Sequence, residues 1–243
     1  MKRLTGKIAA ERIRMAQVPR APEGIIERIR AIGCDSSMIS DAMDHFGIAG
    51  TLPASLYRPT IAGAAIVGTA TTVRNQMSSA VLTPHERAQT NRNGMAEMEA
   101  HNQATEGDIL VIDGVEGLSN MGGISSMIAK RHGITGAIVK GGIRDVGHSR
   151  EIGFPFWSTE ISPMTGKWRV DTVEINGPVE LHGVGIRPGD IIVADDTGVC
   201  VIPPERADDI VSFAEEQHAL EVLRIKAIAE GVHVADLPGK AKK

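Results

Sequence analysis

Glycines are concentrated in residues 114–142, where eight of them occur although average usage is only about 7%. Gly122 and Gly123 precede a run of small and apolar residues that is typical of a helix, so we expect the helix to begin there. A glycine start lets a ligand approach the backbone closely, and its free amides and helix dipole favour an anion. The sequence therefore predicts that Gly122, Gly123, Ile124 and Ser125 bind a carboxylate or a phosphate.

A second candidate group follows the next predicted strand, residues 137–140. Arg144 carries a planar guanidinium that matches a carboxylate, and Asp145 offers a hard oxygen ligand for Mg²⁺ or Mn²⁺. If this strand and the strand at 109–113 are parallel neighbours, the loops after them lie side by side at the edge where open α/β sheets bind ligands. The turn at Gly122 would then join Arg144 and Asp145 in one site for a chelating 2-oxo acid.

Simpler explanations apply to each of these residues alone. Paired glycines often only form the corner between a strand and a helix, and an Arg-Asp pair is more often a surface ion pair. His148 shares a helical face with Asp145 and is a possible metal ligand, although most single histidines are structural. Lys140 could form a Schiff base and Asp195-Asp196 could add a carboxylate, but a solvated lysine and a turn are the commoner roles.

Composition and charge exclude several other classes of protein. The formal net charge is 26 − 30 = −4 and aromatic residues make up 3% of the chain, which disfavours nucleic-acid binding. The phosphate-binding patterns GxGxxG and GxxxxGK[ST] are absent. No stretch suits a signal peptide or a membrane span, and Cys34 and Cys200 lack metal-type spacing. We expect a soluble cytoplasmic protein with reduced cysteines and no membrane or nucleic-acid partner.

The elements that position these residues alternate between strand and helix patterns in the middle of the chain, which predicts parallel strands joined by right-handed crossovers. The polar stretch 75–107 gives no clear strand pattern and indicates only a loop and a helix near 93–104. We expect one domain over residues 1–243, with residues 1–20 as a peripheral N-terminal extension and residues 236–243 as a flexible tail. Helices are expected at 25–32, from Ser36 or Ser37 to Phe46, at 123–132, after Arg144 and at 204–230, and strands at 64–73, 109–113 and 137–140.

Several segments occur in the order found in one known family, over residues 35 to 231. They are SSMISDAMDHFG, AAIVGTATTV, GDILVIDG, MGGISSMIAKRHGITGAIVKGGIRD, REIGFPFW and RPGDIIVADDTGVCVIP, followed by a C-terminal helix. Each segment alone is modestly specific, whereas the ordered set is specific. The chain therefore resembles the 4-hydroxy-4-methyl-2-oxoglutarate aldolases and the related regulators of ribonuclease activity A.

The resemblance implies a three-layer β/β/α swivelling-domain fold with mixed sheets and peripheral N- and C-terminal helices. It also implies a homotrimer or a dimer of trimers with sites at subunit interfaces. In the aldolases, the turn matching residues 122–125 holds pyruvate, the arginine matching Arg144 binds the same ligand, and the aspartate matching Asp145 serves the metal. Some relatives have an acid at the position of Gly123 and others at the position of His148, so an altered metal shell is expected.

The expected activity is that of a class II lyase, which depends on Mg²⁺ or Mn²⁺. It would cleave a 4-hydroxy-2-oxo acid to pyruvate and a second oxo acid, and would decarboxylate oxaloacetate through the same enolate. The residues themselves do not identify the general base. Two alternatives remain open at this point: a non-catalytic regulator that binds a ribonuclease or another protein, and a degenerate member of the family that lacks activity.

Overall fold

A computed structural model describes residues 2–239, which form a mixed α/β structure with one large mixed sheet and peripheral helices. This confirms the predicted fold class; of the expected flexible tail, residues 240–243 lie outside the described residues. The α-helices are α1 (Ile25–Ala31), α2 (Ser36–His45), α3 (Pro84–Gln89), α4 (Glu97–Gln103), α5 (Gly123–Arg131), α6 (Val146–Glu151) and α7 (Ala207–Ala229). The strands are β1 (Thr51–Pro53), β2 (Arg58–Pro59), β3 (Ile66–Met77), β4 (Ile109–Asp113), β5 (Ser119–Met121), β6 (Gly136–Ile143), β7 (Phe156–Ile161), β8 (Val170–Ile175), β9 (Val179–Leu181), β10 (Val184–Ile186), β11 (Ile191–Ala194) and β12 (Gly198–Ile202).

The centre of the sheet consists of four parallel strands in the order β3, β4, β6, β7. β4 is a continuous apolar run with both faces covered, which is the pattern that a buried parallel strand requires. Its last residue, Asp113, lies opposite Lys140 of β6. The expected parallel pairing of the two strands is therefore confirmed, and the loops that follow them leave the sheet at the same edge.

Helices α4, α5 and α6 cover one face of these parallel strands. Each belongs to a connection between two of them: α4 precedes β4, α5 precedes β6 and α6 precedes β7. Alanines on the helices allow close packing against aliphatic side chains of the sheet. The buried cluster between the helices and the sheet includes Ala100, Leu110, Ile112, Ala129, Val139, Ile143, Phe154 and Phe156.

A second β layer, formed by one end of the same sheet (β1, β11 and β12) and by a separate hairpin, packs against the other face of the parallel strands. β11 pairs antiparallel with β3 and with β12, β12 pairs with β1, and β9 and β10 form a separate hairpin. Tyr57 and Trp157 are the largest side chains buried there, and the Trp157 indole N–H donates to the carbonyl oxygen of Asp195 at 2.7 Å. The layer order is thus β, β, α.

Helices α1, α2 and α7 pack on the outer side of β11 and β12 around a third buried cluster. Arg28 of α1 forms ion pairs with Asp208 and Glu215 of α7, each at 2.6 Å. These carboxylates raise the pKa of Arg28. Only the first half of α7 has buried residues, and its later apolar side chains are exposed. Along residues 2–239, no helix combines the length and the apolarity needed to cross a membrane.

The N-terminal segment lies across α4 and β8. The backbone N–H and the hydroxyl of Thr5 both donate to the Glu99 carboxylate of α4, and Ile13 forms an isolated bridge with Ile175. Ile8 is buried among the apolar residues beneath α4. The described part of the expected extension, residues 2–20, is therefore attached to the helix that borders the candidate site.

The structure confirms the helix expected near 93–104 and the strand expected at 64–73, but their bounds differ from those expected. β3 does not end at residue 73 but continues to Met77, because its second half pairs with β8. Within the unassigned stretch 75–107, a short helix α3 begins with a capping box between Thr83 and Glu86, and α4 is shorter than the helix expected at 93–104. The apolar pattern missed α3 and the second half of β3 because polar side chains, such as Arg87 and Asn75, are buried in this region.

The start of α2 also differs from the expectation of a serine cap. Asp35 is the N-cap residue, and its side chain accepts hydrogen bonds from the amides of Ser37 and Met38. Ser36 is already helical, and both its amide and its hydroxyl donate to Asp195. The contact with Asp195 therefore uses the hydrogen-bonding groups of Ser36, one of the two serines that the sequence favoured as the cap.

Replacing Asp35 with alanine should lower the free energy of unfolding by about 1 kcal/mol, because two first-turn amides lose their acceptor. Ser37→Ala is the matched control, since Ser37 is exposed and one of the two caps expected from the sequence. It should change stability by less than about 0.5 kcal/mol. Chemical denaturation of both variants provides the measurement, and an equal loss in the two would contradict the assignment of the cap.

Candidate functional site

A small cavity of about 130 Å³ opens where the loops after β4 and β6 meet. Pockets for drug-sized molecules are larger, roughly 300–1,000 Å³, so this one suits a small acid. Four segments of the chain contribute to it. Its lining residues are Met95, Glu97, Met98, Ser119, Met121, Gly122, Gly123, Ile124, Ser125, Arg144, Asp145, Thr165 and Lys167.

The glycine turn brings the start of α5 against the loop after β6. A Cβ atom on Gly122 would lie 2.9 Å from Asp145 Oδ2 and 3.0 Å from Arg144 Cγ, so any other residue there would force these side chains to move. The first three amides of a helix have no acceptor within it. The Gly123 amide donates to Asp145 Oδ2 at 2.9 Å, and the amides of Ile124 and Ser125 have no intrahelical acceptor.

Asp145, which follows Arg144, has an unusual backbone conformation. Asp145 has φ 57°, in the left-handed region that few non-glycine residues adopt, and it is the N-cap residue of α6, although its side chain accepts no hydrogen bond from that helix. Its carboxylate turns instead towards the glycine turn, with Oδ2 at 3.6 Å from Arg144 Nε. The Arg144 amide donates to the Met121 carbonyl oxygen at 3.1 Å, which fixes the two loops side by side.

Glu97 is a charged residue of the cavity that the sequence did not single out. It is the first residue of α4, is 7% exposed, and receives a hydrogen bond from the Ser125 side chain. Removal from water is the main cause of the rise in the pKa of Glu97, because burial disfavours the carboxylate; the hydrogen bond and the charges of Lys7 and Lys167 act in the opposite direction.

His101, one turn further along α4, is completely buried behind Glu97. Its Nε2 lies 2.8 Å from Ser125 Oγ, and its Nδ1 has no hydrogen-bond partner. Burial lowers the pKa of His101 to about 3, so the ring is neutral at physiological pH. Ser125, predicted as a ligand-binding residue, therefore also connects a buried imidazole to a buried carboxyl group.

The family model described as "RraA-like: Aldolase/RraA" matches residues 36–201, which is more than half of the chain. The chain belongs to the RraA-like family. The match extends from α2 to the last strand of the second β layer and includes every residue that lines the cavity.

Two curated relatives agree with this assignment. The chain is 31% identical over 199 residues to a Halalkalibacterium halodurans protein named "putative 4-hydroxy-4-methyl-2-oxoglutarate aldolase", covering 81% of this chain and 86% of that protein. It is 34% identical over 202 residues to Legionella pneumophila DlpA, covering 82% of this chain. The match spans only 31% of DlpA, so the chain corresponds to about a third of that protein.

A solved structure supports the fold independently. Streptomyces coelicolor RraAS2, described as an unusual member of the RNase ES inhibitor RraA protein family, superposes with a TM-score of 0.70 at 26% identity. The similarity covers 84% of this chain and 96% of that one. The layered arrangement described above is therefore that of the RraA-like proteins.

The two departures from the family pattern are physically linked. A Cβ atom on Gly123 would lie 3.0 Å from His148 Cδ2 and 3.2 Å from the Cβ of Asp145. The His148 ring thus lies where an acidic side chain at position 123 would extend. His148 is not among the residues that line the cavity, and its Nε2 is buried without a hydrogen-bond partner.

The remaining candidates lie elsewhere. Lys140 pairs with Asp113 at 3.0 Å and does not line the cavity. Asp195 accepts from the Ser36 amide at 2.9 Å, and Asp196 accepts from the Gly63 amide at 2.9 Å. These two aspartates therefore hold loops together, in agreement with the simpler explanation that they form a turn.

The side chains available as ligands limit how a metal ion could be bound at the cavity. Within residues 2–239, no group of three or more His, Cys, Asp or Glu side chains is arranged to hold a metal ion. Asp145 contributes one half-exposed carboxylate at the cavity. This fits Mg²⁺, which retains several waters and is often bound by one or two carboxylates together with the substrate, better than a metal that needs a complete protein cage.

Substituting alanine for Gly122 should push the side chains of Arg144 and Asp145 away from the turn and lower the free energy of unfolding by about 1 kcal/mol or more. Gly147→Ala provides the comparison, because a Cβ atom there meets nothing within 4 Å and α6 should gain about 0.5–1 kcal/mol. Denaturation curves give the energies, and crystal structures show the side chains. Unmoved side chains in the Gly122→Ala protein would argue against the tight contact.

Proposed function

We propose that the chain is a lyase that cleaves a 4-hydroxy-2-oxo acid of the 4-hydroxy-4-methyl-2-oxoglutarate type to pyruvate and a second oxo acid. Decarboxylation of oxaloacetate is the proposed companion activity. The observation that carries the proposal is the meeting of the Arg144 side chain with the Gly122 turn at one small cavity. The name of the Halalkalibacterium relative supports the same class of reaction.

The pyruvate half of the substrate fits the groups on one side of the cavity. The guanidinium of Arg144 can hold a carboxylate through two parallel hydrogen bonds, and the amides of Ile124 and Ser125 are available at the start of α5. Lys167 lines the same cavity and offers a second positive charge. A substrate with a further carboxylate beyond the pyruvate unit would therefore find a partner for each acid group.

Cleavage of the bond between C3 and C4 leaves an electron pair on the pyruvate unit, so negative charge accumulates on the keto oxygen. Fixed donors near that oxygen stabilise the charge without reorganising, and Arg144 and the helix start are such donors. We propose that Asp145 holds Mg²⁺ or Mn²⁺ together with water and substrate oxygens. When bound, the cation would act as a Lewis acid on the keto oxygen.

The proposal extends to assembly and location. A homotrimer, or a dimer of trimers, would allow a neighbouring subunit to complete the open side of the cavity. A cytoplasmic location agrees with the two cysteines, both of which are free and buried, and burial raises the pKa of Cys200 to about 12. Light scattering of the purified protein tests the assembly directly.

A second candidate function is that of a regulator that binds a ribonuclease or another protein. Its support is the structural similarity to RraAS2 together with exposed apolar side chains on the second half of α7, such as Val222, Ile225 and Ile228. Apolar patches of this kind often mark contact sites. Pull-down with a ribonuclease E-type enzyme, combined with failure of every 2-oxo acid to bind, would favour this function over the lyase.

The variant Asp145→Asn should release pyruvate from 4-hydroxy-4-methyl-2-oxoglutarate at least about 100-fold more slowly than the unmodified protein, because the cation loses its carboxylate. Glu151→Gln is the matched control: it removes one negative charge from the exposed end of α6, the helix that follows Asp145, and should leave the rate unchanged. Pyruvate release is measured with Mg²⁺ and with EDTA. Full activity of Asp145→Asn, or activity that EDTA leaves intact, would contradict metal-assisted cleavage.

A further inference from the structure

Glu97 combines burial with access to the cavity. No ion pair with another residue of the 2–239 range compensates its charge, although Lys7 and Lys167 attract it at longer range. A carboxyl group is seldom buried in this way for stability alone, because removal of the charge from water is unfavourable. Such a group at the wall of a small-molecule cavity is a candidate for proton transfer.

The Glu97 carboxylate receives hydrogen bonds from its own backbone amide and from Ser125, and His101 determines whether the Ser125 hydroxyl is free to donate. His101 is neutral, and its Nδ1 is buried without a partner, so we assign the ring proton to Nε2 because a buried N–H without an acceptor is the rarer situation. Nε2 then donates to Ser125 Oγ, and the Ser125 hydroxyl is left to donate to the Glu97 carboxylate. This chain of donors favours the basic form of Glu97.

The charges around Glu97 come from every side of the cavity. Lys7 of the N-terminal segment and Lys167 favour the carboxylate, whereas burial disfavours it. Across the cavity are the guanidinium of Arg144 and the carboxylate of Asp145, and the neutral His101 lies behind Glu97 on α4. Burial therefore raises the pKa of the carboxyl group while the nearby positive charges lower it. This balance suits a group that both takes up and returns a proton.

We propose that Glu97 is the general base and general acid of the aldol cleavage, and that Ser125 and His101 are the residues that position it. This inference rests on the proposed function. The Glu97 carboxylate takes the proton of the C4 hydroxyl, the O–H pair becomes the new C=O, and the C3–C4 pair passes to the pyruvate enolate. Protonated Glu97 then returns the proton to C3, which gives pyruvate and restores the carboxylate without any other reactant.

The two reactions of the proposed lyase need Glu97 to different extents. Aldol cleavage cannot begin until the hydroxyl proton has been removed. Oxaloacetate has no hydroxyl proton to lose, so loss of CO₂ gives the enolate without a base, and Glu97 would only protonate C3 afterwards. Removal of Glu97 should therefore separate the two activities, whereas removal of a residue that only binds the pyruvate unit should lower both.

The test compares Glu97→Gln with the unmodified full-length protein in the presence of Mg²⁺. Pyruvate release from 4-hydroxy-4-methyl-2-oxoglutarate should fall by about 10²–10⁴-fold. The fold decrease in oxaloacetate decarboxylation should be smaller than the fold decrease in pyruvate release by a factor of at least about ten. In deuterated water, the exchange of the pyruvate methyl protons, followed by NMR, should be lost with Glu97.

Glu99→Gln is the matched control on the same helix. Its carboxylate binds Thr5 and does not line the cavity, so the variant should retain both activities at a temperature where it is folded. If the unmodified protein has neither activity, the proposed function fails. If it cleaves the aldol and Glu97→Gln does so equally well, or if the variant loses both activities to the same degree, the role of Glu97 as a base is overturned.

Ser125→Ala tests the positioning role. Loss of its hydroxyl removes a hydrogen bond that lowers the pKa of Glu97, so that pKa should rise further. The acidic limb of the profile of kcat/KM against pH for aldol cleavage should then move to higher pH, since the base must be ionised. A uniform decrease at all pH values, with no displacement of the limb, would show a purely structural role and overturn this part of the proposal.

Discussion

The close contact between the Gly122 turn and the Arg144-Asp145 loop is the constraint on which the site depends. It exists because neither residue at the start of α5 carries a Cβ atom, so the carboxylate of Asp145 can accept the Gly123 amide directly. The backbone of Asp145 adopts a left-handed conformation at this point. Two loops that follow different strands thereby become one wall of a cavity, with the guanidinium of Arg144 fixed beside it.

The part of the fold that the sequence predicted well is the part governed by apolar runs. Residues 109–113 are buried on both faces and could be read as a central strand, and their pairing with β6 follows from the alternation of strand and helix. The same logic placed the Gly122 turn and Arg144 at one edge. The prediction of a serine cap on α2 was wrong because a distant residue is involved. Asp195 accepts hydrogen bonds from Ser36, and Asp35 caps the helix instead of the serine.

Glu97 and His101 could not be predicted because their environment is created by tertiary contacts. The stretch 75–107 is polar on the whole, so the pattern indicated only a loop and a helix near 93–104 and gave no sign that charged residues of that helix are buried. Burial comes from α5 below and from the N-terminal segment, whose Thr5 binds α4 through Glu99. The available signal was the spacing of a glutamate and a histidine by four residues, which places both on one side of a helix.

The two carboxyl groups at the cavity are placed in contrasting environments. Asp145 is half exposed and accepts an amide hydrogen bond, which suits a charged ligand of a hydrated cation. Glu97 is buried and its pKa is raised, although its own backbone amide and Ser125 donate to its carboxylate, which suits a group that exchanges a proton. Enzymes that divide acid–base work between two similar groups rely on such differences in environment. The glycine at position 123 fits this division, because the His148 ring fills the space that a further acid beside Asp145 would need.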